Sequence, residues 1–282
     1  MQYRLVRAIG GKGSAPDKFT AALRGVAAGG QGQIYAAGDS EIKVFGESGI
    51  LKQRWGTSRP ALSVAVAGDG SVYAGQPGQV EIFDSAGKLI NTWRDAGLLG
   101  QVTAIDFAGD CVLAADAADR AIRRYDRGGR FLNTIGKDNR MKGFLIPNGV
   151  VDFSVDDGGT IHAANPGRHR VERYTPAGEL LGHFGRFDGI DPAGFPGCCN
   201  PTNVAAAGRG CIAVSEKAGP RAKLYDSSGT LLAVVAAGVF DPNCKNMDLA
   251  ADASGRIYVA DTVKLTVNVF EPVIEGEGAA EA

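Results

Sequence analysis

Five times along the chain an aromatic residue is followed four positions later by glycine and then by apolar residues: Phe45 and Gly49, Phe83 and Gly87, Tyr125 and Gly129, Tyr174 and Gly178, Tyr225 and Gly229. The aromatics stand 38, 42, 49 and 51 residues apart, and Phe270 follows 45 residues after Tyr225, where the chain turns instead into EPVIEGEG. An internal period of this length demands a fold made of repeated units. A second pattern lies upstream of the aromatics. VAAGGQGQIYAA (26–37), VAVAGDGSVYAG (64–75) and LAADASGRIYVA (249–260) each read as a short apolar strand, a glycine-rich turn and another apolar strand. Glycine supplies the positive φ that such turns need. Each unit is therefore a four-stranded antiparallel sheet, and a helical solenoid is excluded because no window sustains a 3.6-residue period.

Four strands per period of about 40–45 residues predict an all-β protein, a β-propeller. Five units are complete and a sixth has only three strands. The missing strand stands at the other end of the chain: RLVRAIG (4–10) matches the fourth strands RFLNTIG (130–136) and ELLGHFG (179–185). The expectation is a six-bladed propeller over residues 1–272, its last blade closed by the N-terminal strand, which would hide the open sheet edges. Residues 273–282, acidic and low in complexity, are expected to be a disordered tail.

The segment GKDNRMKGFLIPNGVVDFSVDDGGTIHAANPGRHRVERYTPAGELLGHFG (136–185) resembles an NHL repeat, with its Gly-rich link, Phe, Pro-x-Gly, apolar strand, Asp-x-x-Gly, second apolar strand, Ala-Asn, Arg and aromatic. Blades one, four, five and six carry the pattern, and blades two and three are degenerate. The resemblance implies the propeller fold. It leaves activity open, because NHL-like propellers include peptide- and RNA-binding modules, a peptide-amidating lyase, and relatives among lactonases and other hydrolases.

Composition narrows the partners. Thirty basic against 31 acidic residues give a net charge of −1, so no basic excess points to nucleic acid or an anionic membrane surface. No apolar run reaches the ~20 residues of a membrane-spanning helix. MQYRLVRAIG lacks the apolar stretch of a leader. The chain is then either cytoplasmic or a mature form with its leader removed, and a start directly in a strand favours the second.

Candidate chemistry gathers in blades five and six. FPGCCNPTN (195–203) places two adjacent thiols on the entry to an inner strand, and aligning CCNPTNVAAAGRG with NCKNMDLAADASG puts Cys199 opposite Cys244 and Asn203 opposite Asp248. Cys198, Cys199 and Cys244 are thus expected at one end of the channel. Three outcomes stand open: free thiols, a disulfide to Cys244, or a thiolate-bound metal or iron–sulfur cluster, its shell completed by Asn200, Glu216, Asp248, water or a partner. Cys111 and Cys211, at the starts of second strands, read as buried core thiols.

One polar residue per blade recurs near the end of the second strand: Asp39, Gln76, Asp116, Asn165, Glu216 and Asp261. These read first as caps within each blade and second as a channel ring. Glu216, Asn203 and Asp248 have the residue types for calcium or zinc on oxygen ligands, as in propeller hydrolases. His162, His169 and His183 all fall in blade four and cannot surround the axis. The tract 198–226 also resembles a bacterial NHL subgroup with a Cys-Cys-Asn-Pro segment and a following Ser-Glu-Lys-x-x-Pro-Arg stretch, in which Glu216, Lys217 and Arg221 would form a charged pocket beside the thiols. That subgroup commonly carries an export leader, which implies a periplasmic or extracellular protein. Three functions follow as expectations: an exported binding or scaffold propeller with a thiol-lined rim that takes a protein or small molecule; a metal-dependent hydrolase or lyase; or an interaction module without chemistry.

Overall fold

The computed structural model describes residues 1–95, 97–137, 142–217 and 219–273. Most of the expected tail therefore lies outside the described residues. The strands run in chain order through six sheets. β1 (Tyr3–Gly10) precedes blade one, which comprises β2 (Gly25–Ala28), β3 (Ile34–Gly38), β4 (Glu41–Phe45) and β5 (Leu51–Gly56). Blade two is β6 (Ser63–Val66), β7 (Val72–Gln76), β8 (Gln79–Phe83) and β9 (Leu89–Arg94). Blade three is β10 (Val102–Ala108), β11 (Cys111–Asp116), β12 (Ala121–Asp126) and β13 (Phe131–Ile135). Blade four is β14 (Phe153–Val155), β15 (Ile161–Asn165), β16 (Arg170–Tyr174) and β17 (Leu180–Phe184). Blade five is β18 (Asn203–Ala206), β19 (Cys211–Glu216), β20 (Arg221–Asp226) and β21 (Leu231–Ala237). Blade six is β22 (Leu249–Ala251), β23 (Ile257–Asp261) and β24 (Thr266–Pro272), with β1 as its outermost strand.

The six-bladed propeller is thus as the repeat predicts. β1 pairs antiparallel with β24 from Tyr3 opposite Pro272 to Gly10 opposite Thr266. The innermost strands β2, β6, β10, β14, β18 and β22 neighbour one another around the axis, with β22 returning to β2.

Packing between blades explains the aromatic–glycine repeat. Gly49, Gly87, Gly129, Gly178 and Gly229 all have positive φ, from 80° to 98°, at the tip of the outer hairpin. A Cβ on Gly87 would fall 2.5 Å from the Trp55 ring of the preceding blade. Gly129 meets Trp93 at 2.7 Å in the same way, and Gly229 meets Phe184 at 2.3 Å. Ile9, near the end of β1, takes the corresponding place against Gly49. The N-terminal strand is therefore a true fourth strand in packing as well as in pairing.

On four of the six third strands a buried polar residue ties down the segment entering its blade. Lys43 donates to the Pro16 carbonyl at 2.9 Å, Arg123 to Leu98 at 2.9 Å and Lys223 to Gly194 at 2.7 Å, while Glu81 accepts from the Ser58 amide at 3.1 Å. These are charge-assisted bonds in a buried setting, where an unpaired partner is costly.

A Gly87→Ala substitution should destabilise the protein by about 2–4 kcal/mol, from left-handed backbone strain together with collision against Trp55. Gly70→Ala has a similar φ of 86°, but its nearest contact would be Ser85 Cβ at 3.7 Å. It should cost only the backbone share, about 1–2 kcal/mol. Denaturant unfolding of the two variants measures the difference; equal losses would remove the cross-blade packing argument.

Candidate functional site

Each inner strand has a free edge towards the channel, and its backbone groups need partners there. The side chains at the channel end where these strands begin supply them. Ser63 Oγ donates to the Val102 carbonyl of the next blade at 3.0 Å, and Thr103 Oγ1 to that of Val151 at 2.7 Å. Asp152 Oδ2 accepts from the Val204 amide at 2.7 Å, and Asp248 Oδ2 from the Val26 amide at 2.7 Å. In blade one the place is Gly25, where a Cβ would come within 2.9 Å of the Ser63 Cα. In blade five it is Asn203, whose side chain counters in part the rise that burial imposes on Asp152 and Asp248. One turn deeper, Asp106 accepts from Val155 N at 2.7 Å and Ser154 Oγ at 3.0 Å, while Ser154 Oγ accepts from Ala206 N at 3.0 Å.

Burial sets the protonation of these carboxyls. It raises Asp248 to about 7 and lifts Asp152 well above the usual carboxylate range, with the Asp248 charge adding to the rise at Asp152. Burial also raises Asp106. Near neutral pH the Asp152–Asn203–Asp248 group therefore retains a proton.

This layer separates two cavities. One, about 250 Å³, runs along the inner strands as far as the exposed Asp157 and is walled by Val, Ala and Phe side chains with Asp106, Asp152 and Asp248. The other, about 270 Å³, is the channel mouth where the strands begin, lined by Arg24, Gln101, Thr103, Asn148, Asn203 and Asn246 among others. Asn148 Nδ2 donates to Asn246 Oδ1, and Asn246 Nδ2 donates to the Asn148 carbonyl at 3.2 Å. Two entry segments, of blades four and six, are thereby clasped across blade five. Asn203 Oδ1 and Asn148 Oδ1 are buried and have no hydrogen-bond partner among the described residues.

The register bears out the alignment of Asn203 with Asp248: Asn203 faces Ser215, and Asp248 accepts from the equivalent Ala260. Asp152 holds the same place in blade four. The oxygen-ligand set Glu216, Asn203 and Asp248 is not assembled. Glu216 is fully buried inside blade five, paired with Lys223 at 2.5 Å and Arg221 at 2.7 Å, so its charge is already spent. Asp261 and Asn200 likewise turn into their blades. Asp261 accepts from the Asp241, Val263 and Lys264 amides at 2.8–3.0 Å, and Asn200 Oδ1 from the Lys217 amide at 2.9 Å. Asp39 and Asp116 bind entry-segment amides in the same manner, the capping role read first from the sequence.

All five cysteines are free thiols. Cys198 and Cys199 lie with sulfurs 3.1 Å apart, the first exposed and the second buried. The hydrogen bond from Cys199 holds the Cys198 thiol below its usual range, with Lys217 assisting. Burial raises Cys199, as does its bond to Cys198. Cys244 instead sits in the core between blades five and six and donates to Asp261 Oδ1 at 3.0 Å, where burial pushes it up to about 11. The structure divides the three sulfurs between different neighbours, and among the described residues no group of three or more His, Cys, Asp or Glu is arranged to hold a metal ion. The trio does not fit a thiolate cluster. Cys111 and Cys211 do open β11 and β19, but they are half-buried rather than buried, because the first strand residue abuts the exposed turn. His162 is packed, its Nε2 2.8 Å from Asp156 Oδ2, where blade six has Tyr258 on Asp252 at 2.7 Å. His183 is exposed on β17, and His169 lies half-buried against Phe187.

Sequence reasoning did not single out Asp152, Asp106, Arg24, Asn148 or Asn246. A signal existed for Asp152, which precedes Asp156 by four residues as Asp248 precedes Asp252.

No protein-family model and no curated protein matches the sequence. Solved structures match the fold. A structural-genomics protein of unknown function from Bacteroides thetaiotaomicron aligns at a TM-score of 0.73 and 14% identity over 95% of this chain and 75% of that one. Virginiamycin B lyase from Staphylococcus aureus aligns at 0.65 and 10% identity over 96% and 100%. The WD40 propeller domain of Doa1 aligns at 0.62 and 14% identity over 89% and 79%. These likenesses establish the propeller. Among the described residues no helix is long and apolar enough to cross a membrane.

The channel carboxyls predict a pH effect. Asp248 titrates at about 7 when folded and about 3.9 when unfolded, so the folded state binds more protons in between. Its contribution is greatest at the acid end of that window and is lost as pH rises through 7, by up to about 1.4 kcal/mol per pH unit. Wild-type stability minus that of Asp248→Asn, measured by denaturant unfolding at about pH 5, 6, 7 and 8, should fall from pH 5 to 7 and level off by pH 8; a flat difference would mean that Asp248 is ionised throughout.

Proposed function

We propose that the protein is a ligand-binding propeller whose mouth, ringed by Arg24, Gln101, Asn148, Asn203 and Asn246, takes a segment of peptide. The observation that carries this reading is the pair of buried amide oxygens, Asn148 Oδ1 and Asn203 Oδ1, left without partners in one cavity. Buried acceptors of this kind are paired in a stable arrangement, and a backbone N–H is a matching donor. Arg24, exposed and without an ion pair among the described residues, offers a cation to a peptide carbonyl or carboxylate at the same mouth. The amide-rich lining suits hydrogen-bond recognition more than bond cleavage. The WD40 likeness supports protein interaction, and the NHL resemblance supports a peptide module. Export to the periplasm or outside the cell belongs to the same reading and rests on the Cys-Cys-Asn-Pro resemblance.

Peptides selected from a random display library against the folded protein test this. Arg24→Glu should weaken the selected peptides by about tenfold or more, equivalent to about 1.4 kcal/mol. Ser85→Ala, on an outer hairpin, should leave binding unchanged. Peptides insensitive to Arg24→Glu and Gln101→Ala, or a library that yields no binder, would overturn the assignment.

A further inference from the structure

The rim carries a second feature that does not depend on what occupies the mouth. Residues 196–200 form a loop cinched by one side chain. Asn200 Nδ2 donates back to the Pro196 carbonyl at 2.7 Å, while its Oδ1 accepts from Lys217 N at 2.9 Å. Gly197 turns the chain with a φ of 74°. Within this loop the two sulfurs are held 3.1 Å apart, one facing solvent and one buried, with Lys217 beside both. An accessible thiol next to a resolving thiol and a cation is the arrangement that favours thiol–disulfide exchange.

We propose that Cys198 and Cys199 are an exchange site for low-molecular-weight disulfides, with Cys198 attacking and Cys199 resolving. In the first step the Cys198 thiolate bonds to one sulfur of the incoming disulfide. The original S–S bond breaks, and one thiolate leaves and takes up a proton. In the second step Cys199 gives its proton to water and attacks the Cys198 sulfur, releasing the second small thiol. The protein loses two electrons and two protons, and the small disulfide gains them. The resulting bond joins neighbouring residues whose Cα atoms a trans peptide holds about 3.8 Å apart. That lies below the ~4.4–6.8 Å span of ordinary disulfides. Such a bond is readily reduced, so the site is a reversible modification and not a permanent staple. Cys244 takes no part, since it is buried and engaged with Asp261.

Oxidised glutathione is the probe. The full chain, incubated with excess probe, quenched with acid and followed by intact mass and peptide mapping, should show a transient glutathione adduct on Cys198. That adduct should give way to a species lacking two hydrogens, with Cys198 joined to Cys199, and dithiothreitol should restore the starting mass. Cys199→Ser should trap the Cys198 adduct, and Cys198→Ser should slow modification at this loop by about tenfold or more. The wild-type time course decides the matter even if a variant fails to fold. First modification at Cys199, Cys111, Cys211 or Cys244, or a stable Cys198 adduct that never closes in the wild-type protein, would overturn the proposal.

Discussion

The molecule depends on how the inner edges of six sheets are satisfied. A blade with four strands leaves its first strand unpaired on the axis side. The protein replaces a neighbouring strand with side chains from the blade before. Asp152 serves Val204, Asp248 serves Val26, Asp106 serves Val155, and Ser154 serves Ala206. Carboxylates in this role accept backbone N–H groups and so hold adjacent blades in register. Crowding three of them around one channel is electrostatically unfavourable, which is why burial keeps a proton on the group instead of leaving every carboxyl ionised.

That division of labour separates structural acidity from a site for chemistry. The channel acids are occupied by the scaffold. At the mouth and rim, unused bonding capacity lies in the amides of Asn148 and Asn203, in Arg24 and in the thiol pair. Every blade but the second gives the mouth a polar side chain: Arg24, then Gln101 and Thr103, Asn148, Asn203 and Asn246, while blade two contributes Leu62.

The blades and their closure were legible because their signals are local. A positive-φ glycine four residues after an aromatic marks a hairpin wherever it stands, and RLVRAIG declares its place by matching two other outer strands. The site was less legible because ring positions are related through space. Glu216, Asp261 and Asn200 share residue type with channel ligands, but each ends or precedes a strand at a point where the entry segment needs an anchor, and that need claims them. In blade three the register shifts between Val102 and Ala104, which hides the equivalence of Thr103 with Asp152. Arg24, Asn148 and Asn246 stand on irregular entry segments that no period marks. The alignment of Cys199 with Cys244 located both loops correctly, yet one sulfur turned to its chain neighbour and the other to Asp261.

The pairing of Tyr3 with Pro272 sets both ends of the propeller side by side on the outer perimeter of blade six. A polypeptide joined at either end would hang from that single corner, clear of the mouth. Joining the two ends through a short tether and cutting instead at another outer hairpin would keep all six sheets whole. The ring has a seam in its chemistry of linkage but none in its packing, so any blade could serve as the first.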